Sequence, residues 1–410
     1  MSTKNMVKYT FLAVLTAFSL ICNAQINLQQ GKWKAALHRT DGKEIPFELK
    51  IQTQGKTTIF YVVNDTEQLK TEISKISKDS VLIKMPVFES SFRVKIINKD
   101  SISGVWVKGG SVKDLVMPFS ATSKDSRFPK GSAGNASVKG KWKIEFTRAD
   151  QSVRLAIGEF TQNGQKVGGS VLTPSGDYRY LDGRIIGDSL MISTFDGIHA
   201  LVFSAKIKGD TIKGTLYSGA TSLEKWTAVK DLNVKLEAPV TALKEGESGR
   251  LDFSFKDLEG NVVSINDQRF KDKVVVLQLM GSWCPNCMDE MAFLSDYYRK
   301  NKNRGVEVIA LAYELSTDEA RSRKSLQKFQ QQFKVEYPML ITGVTAGDPE
   351  KTQKTLPQLN AIKVFPTSII LDKKGLVNHI NTSFYGPGTG EYYVQYKKEF
   401  EEVMNSLLSK

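Results

Sequence analysis

Cysteine is scarce in this chain: there are three in 410 residues, and beyond residue 24 only Cys284 and Cys287 remain. A secreted scaffold held by disulfides scatters its pairs, because the entropic gain grows with the loop enclosed. A pair separated by two residues encloses almost nothing, so it is not a structural staple. Histidine is equally sparse, and His38, His199 and His379 are dispersed with no close spacing. A tetrahedral zinc site needs four ligands, which this set does not assemble. Also lacking is any Lys/Arg cluster interleaved with aromatics, so the net charge of +13 does not point to nucleic acid. With 40% hydrophobic and 25% charged residues, disordered, collagen-like and multispan membrane architectures fall away. A folded chain of 410 residues is long enough for several domains.

Residues 1–24 have a basic start at Lys4 and Lys8, an apolar run from Tyr9 to Cys22, and an ending at Asn23 and Ala24 before Gln25. That is the layout of a cleaved export signal, and the run is too short for the roughly 20 residues that span a bilayer. Ile21 is bulky where a lipoprotein site wants a small residue, which argues against Cys22 as an acylated first residue.

Residues 31–232 contain an internal repeat. Gly31-Lys32-Trp33-Lys34 returns as Gly140-Lys141-Trp142-Lys143, and Asp79-Ser80 as Asp188-Ser189, both displaced by 109. Asp100 to Gly104 returns as Asp210 to Gly214, Gln54-Gly55 as Asn163-Gly164, and Phe119-Ser120-Ala121 as Trp226-Thr227-Ala228. Such landmarks in one order indicate duplication. Within each copy, short alternating runs between turn signals predict an antiparallel meander. The apolar face of such a unit must be covered by closing into a barrel or packing two sheets. A small lipocalin-like barrel is the favoured form, with Trp33 and Trp142 as core plugs. The boundaries expected are 25–128 for the first β repeat and 138–232 for the second, with a polar, exposed linker between them and another at 233–248.

From residue 249 the pattern changes. Val274 to Met280 is a continuous apolar run suited to a strand buried on both faces. Met288, Met291, Ala292, Leu294 and Tyr298 follow at helical spacing. Val306 to Tyr313 predicts another buried strand, Thr317 to Phe333 a helix, and Thr367 to Leu371 with Leu376 to Ile380 a hairpin. Helical spacing returns in Tyr393, Tyr396, Phe400 and Val403. The fold class expected is therefore two tandem all-β repeats followed by an α/β domain.

Trp283-Cys284-Pro285-Asn286-Cys287 falls between a buried strand and a helix. With Phe253 to Gly260, Val274 to Cys287, Val306 to Leu311 and Val364 to Asp372, that order resembles the thioredoxin fold. The particular likeness is to the TlpA/ResA-like periplasmic thiol-disulfide oxidoreductases, over residues 249–410. Cys284 would stand at the N-cap and Pro285 at the first helical position, where a missing N–H costs nothing. Free helix N–H groups and the dipole favour a thiolate on Cys284, although Asp289 and Glu290, one turn on, would oppose it if they turned towards it. Cys287, on the same helical face, is placed to resolve a mixed disulfide.

The resemblance implies more. Trp283, Pro285, Phe365 and Pro366 would form the surface that meets the substrate, with Pro366 cis and the backbone of Phe365 pairing with the substrate chain. Thioredoxins carry an acid six residues before the first cysteine, where this chain has Gln278, which cannot take a proton. The likeness points instead to Glu314, after the second strand, as the proton acceptor for Cys287. The expected activity is thiol-disulfide exchange on protein thiols and disulfides in the periplasm, in the reducing direction. It would use no metal or organic cofactor beyond the Cys284/Cys287 disulfide, and draw on a membrane electron donor of the thiol-reducing type. A peroxidase is disfavoured because Gly281 stands where the Pro-x-x-x-Thr-x-x-Cys signature needs Thr. The alternative is a binding protein in which the β repeats recognise a ligand or client and the α/β domain is auxiliary.

Overall fold

A computed structural model describes residues 27–410 apart from 56, 133, 149 and 238–239. The expected export signal and Cys22 lie outside the described residues. Each β repeat forms a nine-stranded antiparallel sheet among the described residues. In the first, Gly31–His38 pairs on one side with Glu44–Gln54 and on the other with Leu115–Thr122. The two ends of this sheet are Glu67–Lys70 and Glu72–Lys75, which are consecutive in the chain across Thr71. Thr71 holds the bend by donating its N–H (3.0 Å) and its hydroxyl (2.9 Å) to the carbonyl of Phe60. The second repeat closes through Gly140–Thr147 on Ser222–Lys230 and Val153–Asn163 on Lys166–Thr173. The second sheet is a closed barrel and the first a nearly closed one, whose end strands turn into each other at Thr71 without a ladder between them; curling in this way protects the sheet edge that a flat meander would leave exposed.

The duplication extends to side chains. Trp33 Nε1 donates to the carbonyl of Gln29 at 2.8 Å, and Trp142 Nε1 to that of Val138 at 2.7 Å. Both indoles are buried in barrel cores. Gly31 and Gly140, which lead into them, have φ of +110° and +105°, a backbone region open to glycine. Strand Ser90–Asn98 shows why the pattern works: Phe92 and Val94 point into the core while Arg93 and Lys95 point outward. Burying each such apolar side chain contributes about 1.5–3 kcal/mol.

The stretch between the barrels is mostly exposed but is pinned at particular residues. Arg127 donates to Asp182 Oδ2 (2.9 Å) and to the carbonyl of Ser193 (2.7 Å), and Phe128 and Val138 are buried. A polar composition concealed two anchors to the second barrel, Arg127 and Val138. The later linker is mostly exposed, although Val234 and Thr241 are buried and Leu243 bridges to Leu359. Phe47 of the first barrel stacks on Phe195 of the second with centroids 4.4 Å apart.

The C-terminal sheet has seven strands, with Val274–Met280 near its centre and buried throughout. That strand runs parallel to Val306–Ala312 and antiparallel to Thr367–Leu371. Around the sheet lie α1 (Pro285–Asn301), α2 (Glu319–Phe333), α3 (Lys351–Thr355) and α4 (Glu391–Ser409). The second helix starts later than its apolar spacing suggested, because Asp318 caps it by accepting from the N–H of Arg321 at 3.0 Å. No helix among the described residues is long and apolar enough to cross a membrane.

Both barrels dock on this domain. From the first, Val87 and Phe88 enter the core of the α/β domain, Phe88 meeting Phe329 of α2 edge-on at 6.2 Å. Beside them Glu89 accepts from Arg321 (2.6 Å) and Ser325 (2.8 Å) of α2. From the second, Ile157 and Leu172 pack with Val234, Tyr385 and Tyr392.

Candidate active site

Strand Val274–Met280 delivers the chain to the N-terminus of α1. Cys284 is the N-cap in extended conformation and Pro285 the first helical residue, as the spacing predicted. The sulfur of Cys284 accepts from the N–H of Cys287 at 3.2 Å, so one orphan amide of the helix start is spent on the redox sulfur. Cys284 and Cys287 form a disulfide with their Cα atoms 5.2 Å apart. Cys287 is fully buried, and Cys284 keeps 5% of its surface, so Cys284 is the sulfur a partner can reach.

The Phe365–Pro366 peptide bond is cis. The carbonyl oxygen of Phe365 lies 3.5 Å from Cys284 Sγ, where a Cys284 thiol would donate to it in the dithiol form. The Phe365 ring packs against Trp283 (5.9 Å) and Tyr313 (5.2 Å), and Trp283 Nε1 donates to the carbonyl of Tyr313 at 2.9 Å. The fold thus brings together Trp283, Cys284, Pro285, Cys287, Phe365 and Pro366.

Glu314 is also present, but its hydrogen bonds go to the turn before the motif. It accepts from the N–H of Ser282 at 2.8 Å and from the Ser282 hydroxyl at 2.5 Å. Burial raises its pKa above the ordinary carboxylate range, against the lowering effect of those two bonds.

A second buried carboxylate lies beneath α1. Glu290 accepts from the hydroxyls of Ser368 (2.6 Å) and Tyr396 (3.0 Å) and from Gln278 Nε2 (2.9 Å). The same Gln278 nitrogen lies 3.4 Å from the carbonyl oxygen of Cys287. Burial again raises the pKa of Glu290. Sequence reasoning treated this residue only as a charge opposing the thiolate. The signal for its burial was its place three residues after Cys287, on the stripe that continues through Met291 and Leu294. No group of three or more His, Cys, Asp or Glu side chains among the described residues could hold a metal ion.

A family model described as the AhpC/TSA family matches residues 250–380. Over 163 residues the chain is 31% identical to the thiol-disulfide oxidoreductase ResA of Bacillus cereus, covering 40% of this chain and 75% of that protein. The chain belongs to the ResA-like thiol-disulfide oxidoreductases. Membership rests on its C-terminal domain; the barrels are not assigned to a family. ResA of Geobacillus kaustophilus is 28% identical over 131 residues, 32% of this chain and 66% of that protein. Among solved structures, a thiol-disulfide oxidoreductase from Bacteroides fragilis aligns with a TM-score of 0.29 and 19% identity, covering 38% of this chain and 99% of that one. This ResA-like enzyme carries its thioredoxin-fold domain behind two barrels.

Proposed function

We propose that this enzyme is exported and reduces disulfides in other proteins outside the cytoplasm. Cys284 is the attacking thiolate. It displaces one sulfur of a client disulfide to give a mixed disulfide; Cys287, deprotonated, then attacks Cys284 Sγ, releasing the client dithiol and leaving the Cys284–Cys287 disulfide. A thiol-reducing donor at the membrane returns two electrons by the same exchange in reverse. No metal or organic cofactor enters either half of the cycle. The observation that carries this reading is the Cys284–Cys287 disulfide at the N-terminus of α1 beside the Phe365 carbonyl.

Trp283, Pro285, Phe365 and Pro366 form the surface that receives the client chain. The proton of Cys287 passes to a buried carboxylate. Glu314 and Glu290 both have raised pKa values, and Glu290 is the one whose partner Gln278 also contacts Cys287. The reducing direction is supported by Asp177, whose carboxylate is bonded to Asn286 between the cysteines: ionised, it opposes a thiolate on Cys284 and so favours the disulfide over the dithiol.

The test is the reduction potential of the pair, measured on the mature protein by equilibration with a defined thiol buffer. A value near thioredoxin's, about −270 mV, supports a reductant, while one near −120 mV makes the protein an oxidant. Absence of any reversible disulfide would end the redox reading and leave the barrels as the functional part.

A further inference from the structure

The two residues between the redox cysteines differ in their surroundings. Pro285 has no side-chain polar group, but Asn286 is buried, and its partner comes from the second barrel. Asn286 Nδ2 donates to Asp177 Oδ2 at 3.0 Å, and Asn286 Oδ1 accepts from the N–H of Asp177 at 3.3 Å. The pair is reciprocal, as a buried amide requires to leave neither of its two ends unmet.

Asp177 is itself held on every side. Its Oδ2 also accepts from the N–H of Gly386 (2.8 Å), just before α4, and its Oδ1 accepts from the N–H of Arg179 (2.6 Å). Its neighbour Gly176 has φ of +137°, and a Cβ there would collide with the Asn286 side chain, so the barrel backbone approaches the motif as closely as glycine permits. One carboxylate therefore joins the second barrel, the Cys284-to-Cys287 turn and the segment leading into α4.

We infer that Asp177 is a positioning residue of the redox site: by holding Asn286 it holds the turn between the cysteines in its disulfide shape, so that the second barrel helps set the reduction potential of the pair. This rests on the redox reading above. Reduction breaks the Cys284–Cys287 bond, adds two electrons and two protons, and moves the sulfurs from bonded to non-bonded separation. Asn286 lies inside the loop that must adjust. A contact that fits the disulfide turn better than the dithiol turn favours the disulfide by the difference, and reduction must loosen the contact by the same amount. The charge of Asp177 acts in the same sense, since an ionised carboxylate near the start of α1 opposes a Cys284 thiolate. Removing Asp177 should therefore make the pair easier to reduce.

The experiment is the equilibrium of full-length variants with a dithiothreitol buffer. Asp177→Ala is expected to shift the equilibrium constant towards the dithiol by about fivefold or more, the lower end of ordinary coupling between sites. Asp177→Asn, which keeps the shape and an acceptor oxygen, should recover part of that shift. Asn286→Ala should shift the constant in the same direction, and adding Asp177→Ala to it should contribute little further. A folded Asp177→Ala protein with the wild-type constant overturns the inference, as do shifts that simply add in the double variant. If Asp177→Ala does not fold, a wild-type constant in both Asp177→Asn and Asn286→Ala overturns it equally. Loss of a reversible disulfide in the wild type would instead overturn the redox reading, so the two failures are distinct.

Discussion

Arg179 of the second barrel grips Asp289 of α1 through two parallel bonds, Nε to Oδ2 and Nη2 to Oδ1, both 2.8 Å long. The same guanidinium reaches Glu67 of the first barrel at 2.5 Å and Asp196 at 3.7 Å. One cation thus ties both barrels to the helix that carries the redox motif. Arg179 sits at a φ of +55°, a left-handed conformation costly for a side-chain-bearing residue, and its ion pairs hold it there.

Replacing Arg179 with Ala leaves three carboxylates buried around an empty place. The expected loss is about 3–5 kcal/mol, read from the denaturant midpoint of the full-length protein. Arg179→Lys should recover little, since an ammonium cannot reproduce the planar two-bond grip on Asp289. A midpoint unchanged in Arg179→Ala would mean that the barrels are not energetically coupled to α1.

A second prediction separates the two buried glutamates. Glu290→Gln is expected to slow resolution of a mixed disulfide by about a hundredfold, the ordinary size of a general-base contribution. Trapping the mixed disulfide by rapid acid quench measures it directly, and the pH dependence of the rate should lose one inflection. Glu314→Gln should have the smaller effect, because its bonds go to Ser282. If Glu314→Gln slows resolution and Glu290→Gln does not, the proton leaves through Glu314.

The redox motif was legible because its meaning is local. Cys284 at an N-cap, Pro285 after it and Cys287 one turn on are consequences of short-range spacing, and the barrel duplication showed itself through repeated turns and tryptophans. The docking of the barrels on the motif was not legible. Asp177 and Asn286 are 109 residues apart, and Glu89 and Arg321 are 232 apart. A buried charge looks like a surface charge in sequence until its partner is known. Glu290 is an intermediate case: its helical position, on the face of Cys287 and Met291, carried a signal of burial that its acidic character masked.

The pH dependence of stability supplies a last prediction, and its sign follows from Asp177. Burial pushes the pKa of this carboxyl up to about 6, aided by the nearby Asp289 and opposed by the N–H groups of Gly386 and Arg179 and by the Arg179 charge. Tyr385, another titratable neighbour, has its own pKa raised to about 12 and stays neutral in this range. A carboxyl that binds its proton more tightly when folded adds stability below its unfolded pKa, and that contribution disappears as pH rises through the folded value. The window is therefore about pH 4 to 6, and the two-unit displacement caps the effect at about 3 kcal/mol. Asp196, whose pKa is lowered, completes its titration below that window and does not cancel the trend. Glu67, Glu290 and Glu314 are also raised, so the wild-type slope alone would not isolate Asp177. The decisive comparison is the denaturant midpoint at pH 4.5 and 7.5 for the wild type and Asp177→Asn. Asparagine cannot ionise, so the variant should lose less stability over that interval than the wild type. Equal losses would show that Asp177 keeps its charge throughout, and that the second barrel meets the redox turn as an anion across the whole range.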